Sequence, residues 1–172
     1  MSKKYYAKLF VGAIYSDLKW LVEAKSAMQR LGWDIQHQSQ EFPFAHTNYY
    51  SKEMGEGLKR CFLSINGLQL LELTTDWKLK TVEIEQQLSY KEKRRINLDP
   101  GYLDLSRVVL LSGKEGSHKL YLRNGVWADL VLLKDKGGYR NFPWTFPDIR
   151  TGHYDDFFLL LRNEFKKERS LG

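Results

Sequence analysis

The stretch RRINLDPGYLDLSR, Arg94 to Arg107, decides how this chain is read. From Arg94 to Asp99 polar and apolar residues alternate, which predicts a short strand with Ile96 and Leu98 on one face and Asn97 and Asp99 on the other. Pro100 fixes its own φ and Gly101 tolerates a positive one, so Asp99-Pro100-Gly101-Tyr102 reads as a type II turn that ends the strand. Turn chemistry gives Asp99 backbone N–H groups to accept and leaves Asn97 with nothing to do. The pair is either local turn chemistry or part of a polar cleft.

Toward the N-terminus, KLFVGAIYS (8–16) is almost continuously apolar, as a central strand covered on both faces must be. DLKWLVEAKSAMQRLG follows and places Leu18, Leu21, Ala24, Met28 and Leu31 on one helical stripe, with Ser16 or Asp17 to cap its start and Gly32 at its end. WDIQHQSQEF (33–42) is extended but polar, which suits a sheet edge, and LKRCFLSIN (58–66) is apolar again. Leu70, Leu73, Trp77, Ile84 and Leu88 predict a long amphipathic helix within 68–89, weakened by Thr74, Thr75 and Thr81. Residues 8–99 therefore read β-α-β-β-α-β, the order of a ferredoxin-like core in an α+β protein. That topology puts the first and third strands at the centre and the second and fourth at the edges.

Toward the C-terminus, YLDLSRVVLLSG (102–113) reads as a short helix ending at Gly113, with a β-branched strand as the alternative. HKLYLR-NG-VWADLVLLK (118–134) is a hairpin signal, because Asn124-Gly125 suits a two-residue type I′ turn. A loop, 136–150, precedes YDDFFLLLRNEFKKER (154–169), an amphipathic helix whose acidic start and basic end complement the helix dipole.

With 172 residues, 42% hydrophobic and 28% charged, the chain is expected to form one globular domain, 1–172. One cysteine, Cys61, cannot form an internal bridge and reads as a small core residue. The apolar stretch LFVGAIY is too short for a membrane span and lacks a cleavage pattern, so a cytoplasmic protein with no membrane partner is expected. The net charge of +6 is uneven: residues 1–90 carry 11 Lys and Arg against 10 Asp and Glu, and residues 91–172 carry 16 against 11. KEKRR (91–95) and RNEFKKER (162–169) hold most of the excess, a weak attraction for anionic partners.

Several chemistries find no support. GKEGSHK (113–119) lacks the phosphate-loop spacing, and GEG (55–57) is too little for a dinucleotide site. His37, His46, His118 and His153 are scattered without ligand spacing, so no metal site is expected, and any cofactor is left unknown. No G-x-S-x-G elbow is present.

Two further segments draw attention. FPFAHTNYYSKEMGEG (42–57) crowds aromatics with His46 and Glu53 between strands; it could stack a planar ligand on Tyr49 or Tyr50, or plug a bare sheet end. FPWTFPDIR (142–150) is stiffened by Pro143 and Pro147 and offers Trp144, Phe146, Asp148 and Arg150, again to bind or to pack.

Together KLFVGAIYSD, FPFAHTNYYSKEMGEGLKR, NLDPGYL, SHKLYL and PWTFPD resemble the bacterial family known as domain of unknown function 4416, over about residues 6 to 165. The resemblance implies no established activity. It marks Tyr49, Tyr50, Glu53, Met54, Gly55, Asn97, Asp99, Pro100, Gly101, Tyr102, His118, Trp144, Pro147 and Asp148 as positions to follow.

Three functions fit these residues. The first is a binding module for a nucleotide-like or phosphorylated small molecule, held by Tyr49, Tyr50, Asn97, Asp99, Trp144 and Asp148, with Arg94 and Arg95 supplying positive charge. The second is a hydrolase or transferase with Asp99 or Glu53 as base, His118 as acid or orienting group and Lys80 as electrostatic stabiliser. The third is RNA binding through Phe10 and Phe62 on the central strands, although the characteristic RNA-recognition pattern is absent.

Overall fold

The computed structural model describes residues 3–171. In chain order the elements are β1 (Tyr6–Tyr15), α1 (Leu18–Arg30), β2 (Ile35–Gln38), β3 (Phe42–Pro43), α2 (Ser51–Met54), β4 (Lys59–Ile65) and β5 (Gln69–Leu70). A 3-10 turn at Leu71–Leu73 leads into α3 (Thr74–Gln87), then β6 (Ile96–Leu103), β7 (Arg107–Ser112), β8 (Leu120–Arg123), β9 (Val126–Asp135), β10 (Gly138–Asn141), α4 (Pro147–Arg150) and α5 (Asp155–Ser170).

The strands form one antiparallel sheet in the order β10-β9-β7-β6-β1-β4-β2, with β3 on β4, β5 on β1 and β8 on β9. Alternation along β1 sorts its side chains. Leu9, Val11, Ala13 and Tyr15 face α1 and α3, where they meet Leu21, Met28, Trp77 and Ile84. Phe10 faces the other way and packs with Phe62, Leu103 and the α5 residues Phe157, Phe158 and Leu161. Buried on both sides, β1 needs the apolar run that its sequence carries.

Local chemistry sets several boundaries. Asp17 caps α1 by accepting the Lys19 N–H at 2.9 Å. Asn124 and Gly125 both take positive φ, 52° and 75°, and turn β8 into β9. Cys61 is a free thiol buried in the sheet.

Three expectations are corrected around the opening stretch. Residues 107–112 form strand β7 where a short helix was expected; Val108, Val109, Leu110 and Leu111 are all buried, and a β-branched, two-sided apolar run fits a central strand better than a helix. The fourth strand of the sequence reading, β6, consequently lies inside the sheet between β1 and β7, not at an edge.

The expected turn at Asp99-Pro100-Gly101-Tyr102 is also absent, because β6 runs straight through it. Val11 pairs with Pro100 and Phe10 with Gly101. The β6–β7 ladder begins only at Gly101, opposite Leu110. Leu98 turns its N–H and C=O away from β1, toward α3. Two residues on, Pro100 points the same way, where β7 has not yet joined, so its missing N–H breaks no ladder bond. Gly101 is required by crowding: a Cβ there would lie 2.4 Å from the Val109 carbonyl oxygen and 2.6 Å from the Phe10 ring.

Candidate functional site

Because β7 leaves β6 after three paired residues, the sheet opens beside Asn97 and Asp99. α3 spans part of that opening. Glu85 Oε1 accepts the Leu98 N–H at 2.5 Å, and Lys78 Nζ donates to the Leu98 carbonyl at 3.1 Å. Two backbone groups that β7 does not reach are thus satisfied by buried side chains of a helix. The space that remains is a cavity of about 550 Å³, within the roughly 300–1,000 Å³ range of small-molecule sites.

Its floor is a chain of charges and amides. Lys78 Nζ donates to Asp99 Oδ1 at 3.1 Å, Asn97 Nδ2 donates to Asp99 Oδ2 at 2.8 Å, and Arg94 Nη1 donates to Asn97 Oδ1 at 2.9 Å. Arg94 also forks onto Glu53, with Nε to Oε1 at 3.0 Å and Nη2 to Oε2 at 2.8 Å, while its backbone N–H reaches Oε1 at 2.9 Å. Asn97 therefore links the Asp99–Lys78 pair to the Arg94–Glu53 pair, a role that turn chemistry did not supply.

The floor separates two carboxyls electrostatically. Burial pushes Glu85 up to about 7, against the opposing pull of Lys78, the Leu98 N–H and Arg94. Burial acts on Asp99 in the same direction, but Lys78, Arg60 and the Asn97 bond together outweigh it and hold Asp99 below the usual carboxylate range. The bonds from Arg94 likewise hold Glu53 low.

The walls are aromatic and basic. Phe44, Tyr49 and Tyr50 come from the segment around α2, and Phe146 and Pro147 from the start of α4. That segment both plugs and lines. Phe44 and Met54 are buried with Ile14 and Leu58, and Ser16 Oγ donates to the Met54 carbonyl at 2.7 Å, fastening α2 to the end of β1. Tyr50 packs on Phe44 and lies beneath the Arg94 guanidinium. The end of β7 and the loop after it contribute Ser112, Gly113, Lys114 and Lys119. Lys119 Nζ donates to Ser112 Oγ at 3.2 Å and the Lys114 carbonyl at 3.1 Å, and the Lys114 ammonium lies over the Tyr49 ring at 3.5 Å.

The cavity thus gathers Tyr49, Tyr50, Asn97 and Asp99, with Glu53 held just behind Arg94. Other expected residues lie elsewhere. Trp144 does not line it: the ring is stacked between Phe142 and His118, and its Nε1 donates to the Leu130 carbonyl at 2.8 Å. His118 Nε2 stands 3.5 Å from Asp129 Oδ2, so it meets the cavity only through Asp129. Asp148 is spent on Arg60, which is 1% exposed, donates from Nη1 to both carboxylate oxygens at 3.1 and 3.2 Å, and is surrounded by the rings of Phe44, Phe62 and Phe146. Lys80 rests over Trp33 on another side of α3. Arg95 lies against Trp20 and Tyr90.

The lysine at the floor of the site is Lys78, and the same helix adds a second buried charged group, Glu85, whose Oε2 lies 3.7 Å from Arg94 Nη1. Sequence reasoning missed both. Their spacing of seven residues, two turns, with Thr81 and Val82 between them, was a usable signal for a polar stripe on an otherwise buried helix face. Phe10 and Phe62, the rings expected to stack RNA bases, are fully buried under α5 and offer no face.

Among the described residues no three His, Cys, Asp or Glu side chains group closely enough to hold a metal ion, and no helix is long and apolar enough to cross a membrane. Sheet, helices and cavity define the class: an α+β protein with one antiparallel sheet and a polar-floored cleft where that sheet opens. The family model of the domain of unknown function DUF4416 matches residues 5–165, and the chain belongs to that family. No curated protein and no solved structure matches it.

Proposed function

We propose that the protein binds a small phosphorylated or nucleotide-like molecule in the cavity at the β6–β7 opening. One observation carries this reading: flat aromatic walls, a hydrogen-bonding floor and two lysines that contact no carboxylate among the described residues converge on one space of about 550 Å³. Rings supply stacking area at little entropic cost, and polar groups at the floor fix orientation. Arg94 and Lys78 hold the floor in shape, which lowers the ordering cost on binding. The same reading makes the protein cytoplasmic, in a compartment where a lone buried thiol such as Cys61 remains reduced.

The test is a thermal-shift screen against nucleotides, nucleosides and sugar phosphates, followed by calorimetry. A ligand at one hundred times its Kd stabilises the folded state by about 2.7 kcal/mol, several degrees for a domain of this size. If no member of the panel raises the melting temperature at millimolar concentration, the proposal is lost.

One observation favours a second reading, a hydrolase or transferase. Glu85 and Asp99 line the same cavity with opposite preferences for their protons, the arrangement that divides acid and base roles between two carboxyls. Asp99 keeps the role of base, and Glu85 takes the acid role that the sequence reading gave to His118. Turnover of any ligand found by the screen, with a pH profile that Glu85→Gln removes, is its test; a ligand bound but unchanged after prolonged incubation contradicts it.

A further inference from the structure

The charges around the cavity are not evenly compensated, and the imbalance has a direction. At the floor each cation has an anion: Lys78 is bonded to Asp99, and Arg94 to Glu53. An anionic group placed there gains little, because it competes with carboxylates already in contact. Asp99 accepts only two side-chain bonds, from Lys78 and Asn97, of the roughly four that a carboxylate can take. What the floor still offers is acceptor capacity for N–H or O–H donors.

The loop of residues 113–119 is the opposite case. Neither Lys114 nor Lys119 forms an ion pair with a carboxylate among the described residues; their ammonium groups contact only Ser112 Oγ, a backbone carbonyl and the Tyr49 ring. Asp129 lines the same side and attracts Lys119, as Glu53 attracts Lys114, but neither carboxylate is in contact with its lysine, and Asp129 Oδ2 faces His118. The basic sequence GKEGSHK lacks phosphate-loop spacing, yet the fold brings both of its lysines to the cavity.

Resting on the proposed function, we propose that the ligand binds in a single direction, with one phosphate at Lys114 and Lys119 and a planar heterocycle bearing N–H donors on the Asn97–Asp99 floor, between Tyr50 and Phe146. The class of ligand is a nucleoside monophosphate. A bare phosphate lacks the flat end, and a bare nucleoside lacks the charge.

The experiment is calorimetric titration of the wild-type protein, Lys114→Met, and the double variant Lys114→Met/Lys119→Met. The probes are the common nucleosides, their 5′-monophosphates, ribose 5-phosphate and inorganic phosphate. Lys114→Met is included because that ammonium rests only on Tyr49, so its loss leaves the internal bonds of the loop in place.

In the wild type one monophosphate binds at least tenfold more tightly than its nucleoside. The gap narrows in the single variant and falls below about threefold in the double variant, together with the salt dependence. A gap that survives both substitutions puts the phosphate elsewhere and overturns the inference while ligand binding stands. Ribose 5-phosphate binding as tightly as every nucleotide removes the planar end and overturns it too. If no probe binds the wild type, the inference falls, and the proposed function falls with it only where the wider screen of nucleotides and sugar phosphates is also empty.

Discussion

Glu85 Oε1 accepts the backbone N–H of Leu98 at 2.5 Å, a helix side chain completing the hydrogen bonding of a strand. The contact exists because β7 pairs with β6 only from Gly101 onward, leaving Leu98 with no strand neighbour on that side. The gap that makes room for α3 is also the mouth of the cavity. Sheet geometry and candidate site therefore have one origin.

Burial behind this contact holds the Glu85 carboxyl at about 7, against the pull of Lys78, the Leu98 N–H and Arg94, where it would otherwise titrate near 4.5. Over that interval the folded chain binds more protons than the unfolded one, so stability falls as pH rises from about 4.5 to 7 and levels off above it. The full contribution is on the order of 3 kcal/mol. Lys78, Arg94 and Asp99 are the charged groups facing Glu85, and Asp99, held low, acts in the opposite sense at lower pH. Urea denaturation at half-unit pH steps should show the decline in the wild type and a flattened profile in Glu85→Gln. An unchanged slope in the variant assigns the titration to another group.

Gly101 is predicted to tolerate no side chain. A Cβ at this position clashes with a backbone oxygen and a buried ring, neither free to withdraw. Gly101→Ala should lose about 3 kcal/mol or more, whereas Gly113→Ala, with open space around it, should be close to neutral. Chemical denaturation of the two variants distinguishes crowding from any general need for glycine in this region.

Removing one partner of the Arg60–Asp148 pair should be among the most damaging changes in the protein. Asp148→Ala leaves a guanidinium buried among three aromatic rings without its counter-ion, at a cost of about 3–5 kcal/mol. Soluble yield and the denaturation midpoint report it. A loss under 1 kcal/mol would mean that water reaches Arg60 readily.

Arg94 ties α2 to the floor, and the prediction there concerns local motion. Arg94→Lys keeps the charge but cannot reproduce bonds to both Glu53 oxygens and to Asn97 at once. Amide hydrogen exchange of residues 50–57 should accelerate at least tenfold, with protection of β1 and β4 retained. Exchange that rises uniformly across the sheet would show instead that the pair supports the whole fold.

Much of the frame was legible in the sequence. Asp17 as a cap, Asn124-Gly125 as a turn and the two-faced apolar run of β1 are local signals that tertiary structure left intact. Pro100-Gly101 misled for a physical reason: both residues suit a turn, and only the close approach of Phe10 and Val109, with the late start of the β7 ladder, makes them strand residues. The strand reading of 107–112 depended on the same missing neighbours, since a short apolar run fits a helix or a strand until its partners are known. Within the site, Tyr49, Tyr50, Asn97 and Asp99 came from sequence, whereas Lys78 and Glu85 did not. A buried Lys and Glu on a helix look like surface residues until the backbone groups they satisfy are seen.

The central claim is that a small molecule occupies the opening beside Asn97 and Asp99. Amide chemical-shift mapping during titration with nucleoside monophosphates tests it most directly. Saturable shifts should concentrate at residues 49–50, 97–99 and 112–114, with residues of β2 and of α5 undisturbed. Saturable shifts confined to another surface, with those of 97–99 unmoved, would contradict the account.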